Sequence, residues 1–185
     1  NWRWQPWYRV VRERLAAGDI GQPVTYRFRI RRRDGHGHAP YSSQPYFRDM
    51  PRLLIFETLV HPIDTARFLF GEIQSITAIT RRLNPVVKGE DFAQLLTAHT
   101  SGLGGIIDGH RFLDIASDSP PLGDAEVEGE FGLLSVTASG DVLRNHKVIW
   151  RNDVHQGYRG DSVYATQQHF IDCLRTRQPF ETGAS

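Results

Sequence analysis

Apolar residues recur at positions 7, 8, 11 and 15 of the opening stretch, a helical spacing that Pro6 can start and Gly18 can end. Ile20-Gly21-Gln22-Pro23 reads as a turn, and from 24 to 33 the pattern switches to strict alternation. Tyr26, Phe28 and Ile30 fall on one face and Arg27, Arg29 and Arg31 on the other, which predicts a half-buried strand. Residues 34–50 follow neither period, and a loop of this length, rich in Gly, Pro, Ser and Tyr, is expected to act as a lid or binding loop. An apolar, helix-like run then extends from Leu53 to Gly71, interrupted by Glu57, His61 and Asp64. After it, 73–80 predicts a strand, 92–100 and 105–112 a hairpin, and 127–137 and 141–150 a second hairpin across Ala138-Ser139-Gly140. Pro120-Pro121 marks a loop. Finally, 162–175 places Tyr164, Gln168, Phe170, Ile171 and Leu174 at helical spacing behind Asp161, a suitable cap. Consecutive strands joined by short turns imply an α+β fold: an open, mostly antiparallel sheet with helices packed on one face.

Composition narrows the class. A chain of 185 residues fits one domain. With 22 basic against 21 acidic side chains, no nucleic-acid partner is indicated. A single cysteine, Cys173, cannot form an internal disulfide, which fits a reducing compartment, and the cytoplasm is the expected location. No stretch approaches the roughly 20 apolar residues of a membrane-spanning helix, so no membrane partner is expected. Without an initiator methionine, and stopping at Phe180-Glu181-Thr182-Gly183-Ala184-Ser185 with no closing element, the chain is expected to be a piece of a longer protein. Gly102-Leu103-Gly104-Gly105 lies between strands, where no helix N-terminus can offer amides to a phosphate.

The candidate chemistry sits in the apolar run. Residues four and seven apart share a helix face, so Glu57, His61 and Asp64 can point the same way. Three readings are open there: acid/base catalysis by a histidine tuned by a carboxylate, a carboxylate–imidazole metal site, and an internal His–Asp pair that is only structural. Pro62 implies that the helix is kinked or begins at that point. Elsewhere, His36 with His38, and His99 with His110 opposite each other in the predicted hairpin, are weaker metal candidates. Arg27, Arg29 and Arg31 read as a solvated strand face more readily than as an anion site.

Several segments resemble the C-terminal domain of the glucose-fructose oxidoreductase / inositol dehydrogenase (Gfo/Idh/MocA) family. Asn1-Trp2-Arg3-Trp4-Gln5-Pro6 is similar to the family's exit from its nucleotide domain, and Leu15-Ala16-Ala17-Gly18-Asp19-Ile20-Gly21 to its first helix and turn. The most specific match is Glu57-x-x-x-His61-x-x-Asp64 leading to Phe68-Leu69-Phe70-Gly71-Glu72, and Gly160 to Tyr164 with Phe180 to Gly183 resembles the late helix and the turn after it. The resemblance implies an NAD(P)-dependent oxidoreductase acting on a sugar, polyol or related carbinol, with NAD or NADP bound mainly by a preceding nucleotide-binding domain. It makes His61 the catalytic proton donor and acceptor, places Glu57, the second catalytic candidate, where most members carry aspartate, and sets Arg3 near the nicotinamide. This domain alone is not expected to catalyse. Asp64, Arg48, Arg52, Tyr46, His155 and Tyr164 are the candidate substrate-binding residues, as polar groups on the loop, the central stretch, the last helix and the segment before it. No metal ligand is assigned, and a homo-oligomer formed through the sheet face is expected. The alternatives are a non-catalytic sugar-binding or sensor domain with this fold, and a metal-dependent isomerase or lyase using Glu57, His61 and Asp64.

Overall fold

The computed structural model describes residues 1–112, 123–153 and 161–183. A 3-10 turn, Trp2–Trp4, leads into α1 (Pro6–Ala16), with Pro6 at its first position and Gly18 turning at φ 76° just beyond its end. After β1 (Pro23–Arg31) come a 3-10 turn, Pro45–Asp49, and a π-helical turn, Leu54–Leu59, which runs directly into α2 (Val60–Phe70). The remaining strands are β2 (Ile73–Arg81), β3 (Phe92–His99), β4 (Gly104–His110), β5 (Asp124–Gly129), β6 (Gly132–Val136), β7 (Val142–Arg144) and β8 (Lys147–Trp150), followed by α3 (Ser162–Thr176).

The strands form one open sheet in the order β2-β3-β4-β1-β5-β6-β7-β8, antiparallel throughout except where β1 runs beside β4. Alternation along β1 decides which face is covered. Tyr26, Phe28 and Ile30 are buried, and the helices meet them: Tyr8 of α1 lies 5.8 Å from Phe28, and Phe70 of α2 stacks on Tyr26 at 4.6 Å. The opposite face is open. There Arg27 and Arg31 pair with Asp108, Arg29 pairs with Asp124, and Leu96 and Ile106 lie exposed side by side. The α+β architecture with helices on one face is therefore as the pattern predicts.

Three details differ from the pattern. The stretches 127–137 and 141–150 are not single strands: the first is broken by the turn Glu130-Phe131, the second by Asn145 and His146, both at positive φ. Positive φ at two central residues is the signature of a two-residue hairpin turn, which alternation cannot distinguish from continued strand. His99 and His110 do not face each other, because β4 begins at Gly104 and pairs Phe92 with His110 and Ala98 with Gly104. His99 is instead buried; its Nδ1–H donates to the Gly71 carbonyl at 2.9 Å, and its Nε2 meets the Tyr26 hydroxyl at 2.9 Å. The long loop is not a loose lid either, since Tyr41, Phe47, Leu53 and Val87 bury one another in a small second core. Pro120 and Pro121 lie outside the described residues. Among the described residues, no helix is long and apolar enough to cross a membrane.

Tyr26 sits at the centre of the helix–sheet packing, and Gly105 opposite it has no room for a side chain: a Cβ there would lie 2.2 Å from the tyrosine ring. Gly105→Ala is expected to destabilise the protein by about 1–3 kcal/mol, the usual cost of overpacking, read by chemical denaturation. Burial, opposed weakly by the hydrogen bond with Thr97, pushes the Tyr26 phenol up to about 12. A raised folded-state pKa contributes stability that is complete below the unfolded value and is lost as pH rises through the folded one. Unfolding free energy is thus expected to fall between about pH 10 and 12, and to fall less steeply in Tyr26→Phe.

Candidate active site

Pro62 shapes the central segment. It has no amide hydrogen to offer the Thr58 carbonyl, so an unbroken α-helix through this point would lose a bond. The chain begins α2 at Val60, placing Pro62 in its first turn, and precedes it with a wider turn in which the Val60 amide reaches the Ile55 carbonyl five residues back. The start of that turn is held by Glu90, whose carbonyl accepts from the Leu54 amide at 3.0 Å and whose Oε1 accepts from the Ile55 amide at 3.0 Å.

The three candidate residues of this segment, Glu57, His61 and Asp64, do not form one self-contained set. Asp64 receives Arg3: Nε–H donates to Oδ2 at 2.8 Å, Nη2 also pairs with Oδ1, and Nη1–H donates to the Glu181 carbonyl at 2.8 Å. Arg3 is buried, and its donors are directed at α2 and the C-terminal segment. Glu57 receives Arg111, whose Nη1–H donates to Oε2 at 2.7 Å, and the Thr58 hydroxyl donates to the same oxygen at 2.6 Å. His61, half-buried, stacks its ring on Trp2 at 5.5 Å and 14°. The turn carrying Trp2 and Arg3 is thereby fastened to α2 by a stack and an ion pair three residues apart.

Arg111 is held on three sides. It is buried, pairs with Asp34 through Nε at 2.9 Å and also through Nη2, and lies over the rings of Tyr41 at 5.1 Å and Phe47 at 5.0 Å. Burial works against its charge, and the hydrogen bond to Asp34 with the charges of Asp34 and Glu57 outweighs it, leaving its pKa above the ordinary value.

The other candidates are placed less centrally. Arg48 is half-buried and donates from Nε to the Pro40 carbonyl at 2.6 Å, a bond that shapes its own loop. Tyr46, Arg52 and Tyr164 are exposed, Tyr46 packed against Phe47 at 4.7 Å and Tyr164 on α3. His155 lies outside the described residues. Trp2, Arg111 and Asp34 belong to the site without having been singled out in the sequence. Arg111 had a signal: alternation through Gly105, Ile107 and Gly109 puts it on the covered face of β4's continuation, where a charge needs a partner. Asp34, the first residue of an aperiodic loop, had none. Among the described residues, no group of three or more His, Cys, Asp or Glu side chains is placed to hold a metal ion. None of the three helices starts from a glycine-rich turn within the described residues, so these residues do not supply the phosphate cradle of a dinucleotide.

Residues 8–135 match the GFO/IDH/MocA C-terminal domain. The chain belongs to the GFO/IDH/MocA family. Among curated relatives, it is 30% identical over 191 residues to the D-apiose dehydrogenase of Rhizobium rhizogenes, covering 94% of this chain and 52% of the relative. It is also 30% identical over 187 residues to the D-apiose dehydrogenase of Paraburkholderia graminis, covering 95% of this chain and 48% of that protein. The chain therefore spans about half the length of the curated relatives it matches. Among solved structures it resembles an oxidoreductase from Agrobacterium radiobacter, crystallised with NAD+, L-tartaric acid and magnesium. The TM-score is 0.82 at 28% identity, covering 97% of this chain and 55% of that one. Levoglucosan dehydrogenase in complex with NADH and levoglucosan shares the fold at a TM-score of 0.79 and 16% identity, over 95% of this chain and 56% of that one.

In this GFO/IDH/MocA domain the Arg3–Asp64 pair fastens the entering turn to α2. Removing one member strands a charge inside the protein. Asp64→Ala is expected to cost about 3 kcal/mol of stability, and Asp64→Asn, which keeps an acceptor, less; chemical denaturation of the full-length protein is the check.

Proposed function

We propose that the full-length protein carrying this domain is an NAD-dependent dehydrogenase that oxidises a carbinol of a sugar related to D-apiose, with His61 exchanging the hydroxyl proton. The observation that carries the reading is the position of His61. It stands in the segment Glu57-x-x-x-His61-x-x-Asp64, at the start of α2, in a family whose D-apiose dehydrogenases are 30% identical to this chain. A nucleotide-binding domain preceding the chain would hold the cofactor and account for about half of the relatives' length that this chain does not span.

Oxidation of a carbinol to a carbonyl removes two hydrogens, the hydroxyl hydrogen as a proton and the hydrogen on the same carbon as a hydride. Bound nicotinamide supplies the hydride acceptor. The imidazole of His61 takes the hydroxyl proton and returns it in the reverse direction, a role open to a ring with two nitrogens that can each hold or accept a proton. Trp2, stacked on the ring, restricts its rotation and shields one side from water. Asp64 and Glu57 hold the helix through Arg3 and Arg111, and Arg3, anchored on Asp64 and the Glu181 carbonyl, stays the candidate beside the nicotinamide. Tyr46, Arg52 and Tyr164 are exposed and would be available to a sugar hydroxyl in a cleft shared with a nucleotide-binding domain, while Arg48 braces its loop through the Pro40 carbonyl. His155 stays a candidate on the segment before α3.

The same proposal extends to assembly and location. The open sheet face, with Leu96 and Ile106 exposed beside the paired Arg27 and Asp108, is suited to burial against a second copy. Cytoplasmic location accords with Cys173 being a buried free thiol.

Full-length protein is expected to reduce NAD+ in the presence of D-apiose, followed by nicotinamide absorbance. His61→Asn should lower kcat by about 10²- to 10⁴-fold and leave NAD+ binding intact. Unchanged turnover in that variant, or tight sugar binding with no NAD+ reduction by the unaltered protein across a panel of sugars and polyols, would overturn the proposal. The second outcome favours a sugar-binding or sensor domain. Loss of activity on chelation, restored by a divalent ion, favours a metal-dependent isomerase or lyase.

A further inference from the structure

We infer that Arg111 is a positioning residue for the reaction: through its ion pair with Glu57 it sets the π-helical turn that places His61. The inference rests on the reading of His61 as the proton-exchanging group.

The argument begins with the guanidinium itself. Arg111 is 4% exposed, and a charge so buried is tolerated only when its donors are matched. It spreads them over two distant segments. Nε and Nη2 take both carboxylate oxygens of Asp34, at the start of the long loop, and Nη1 takes Glu57 Oε2 and, at 3.1 Å, the Thr58 hydroxyl. The Thr58 hydroxyl donates to Glu57, so guanidinium, hydroxyl and carboxylate close a ring of hydrogen bonds across two successive residues of the turn. Tyr41 and Phe47 cover the guanidinium face and exclude water from it.

What is held matters as much as how. Residues 54–59 form a single π-helical turn, a geometry less stable by itself than the α-helix that follows it. Glu90 fixes its first amides, and Arg111 fixes its middle at Glu57 and Thr58. Leu59 at its end packs so closely on β4 that a Cβ added at Gly109 would lie 2.8 Å from its side chain. His61 follows two residues later. Relaxation of the turn toward α geometry would change the phase of everything after it, and with it the imidazole. Lysine cannot replace this arrangement, because one ammonium on a flexible stem does not span two carboxylates in fixed directions. Glu57 on this account is committed to Arg111 and is a part of the support, not a second proton acceptor.

The test uses full-length protein with D-apiose and NAD+, and the variants Arg111→Lys, Glu57→Gln and both together. Arg111→Lys is expected to lower kcat by about ten- to a hundredfold, the scale of a misplaced reacting group, with the NAD+ dissociation constant unchanged within about threefold. Because the two residues act as one unit, the double variant should be no slower than Arg111→Lys alone; multiplicative losses would overturn the inference. A crystal structure of Arg111→Lys should show residues 54–59 rearranged and the His61 ring displaced, and an unmoved turn and ring would also overturn it. Should Arg111→Lys not fold, Glu57→Gln is judged by the same structural criterion. If the unaltered protein oxidises no sugar, the proposed function fails, and the crystal structures still decide whether Arg111 sets the position of His61.

Discussion

Two buried guanidinium groups hold the segment on which the site is built, one toward each end. Arg3 comes from the turn before α1 and closes on Asp64; Arg111 comes from the end of β4 and closes on Glu57. Between the two carboxylates lies His61. Each arginine also grips a second part of the chain, Arg3 the carbonyl of Glu181 and Arg111 the carboxylate of Asp34. The central segment is thus tied to the C-terminal stretch at one end and to the long loop at the other. Buried charges of this kind add little net stability over an apolar replacement, but they fix direction, because a guanidinium fork accepts its partners in few orientations.

This direction is what an acid/base site requires. A histidine exchanging a proton has to sit within hydrogen-bond reach of the hydroxyl it serves, and small errors of placement cost rate. The fold gives α2 a rigid seat: Phe70 on Tyr26, Tyr26 on the bare backbone of Gly105, and His99 bonded to both Tyr26 and the carbonyl of Gly71 that ends the helix. The loop from 34 to 50 is drawn into the same support. Its aromatic residues, which in sequence suggest a surface for ligand, mostly turn inward to cover Arg111, and only Tyr46 stays exposed.

Much of the architecture was legible in the chain. The alternation of Tyr26, Phe28 and Ile30 with arginines predicted a strand covered on one face, and the 7-8-11-15 spacing predicted α1. The Glu57–His61–Asp64 segment is where the sequence places the candidate chemistry, and it lies within the residues that match the family. The pairing inside the site was not legible. Spacing along one helix made Glu57 and Asp64 natural partners for His61, yet their partners come from 54 and 61 residues away along the chain. The turns at Glu130-Phe131 and Asn145-His146 escaped notice because a two-residue turn leaves almost no gap in an apolar pattern.

The sequence by itself determined the period of each segment, and so which residues could be covered, since burial follows the 3.6 or 2.0 repeat of the local backbone. It also determined that Pro62 would not sit inside an uninterrupted α-helix, because the missing amide is a covalent fact. Only the tertiary structure decided how that conflict was met, by starting α2 at Val60 after a π-helical turn, and which charge each carboxylate would answer. Those outcomes depend on contacts between segments far apart in the chain. Local pattern can say that a charge in an apolar run needs a partner, but only the packed fold brings one into reach.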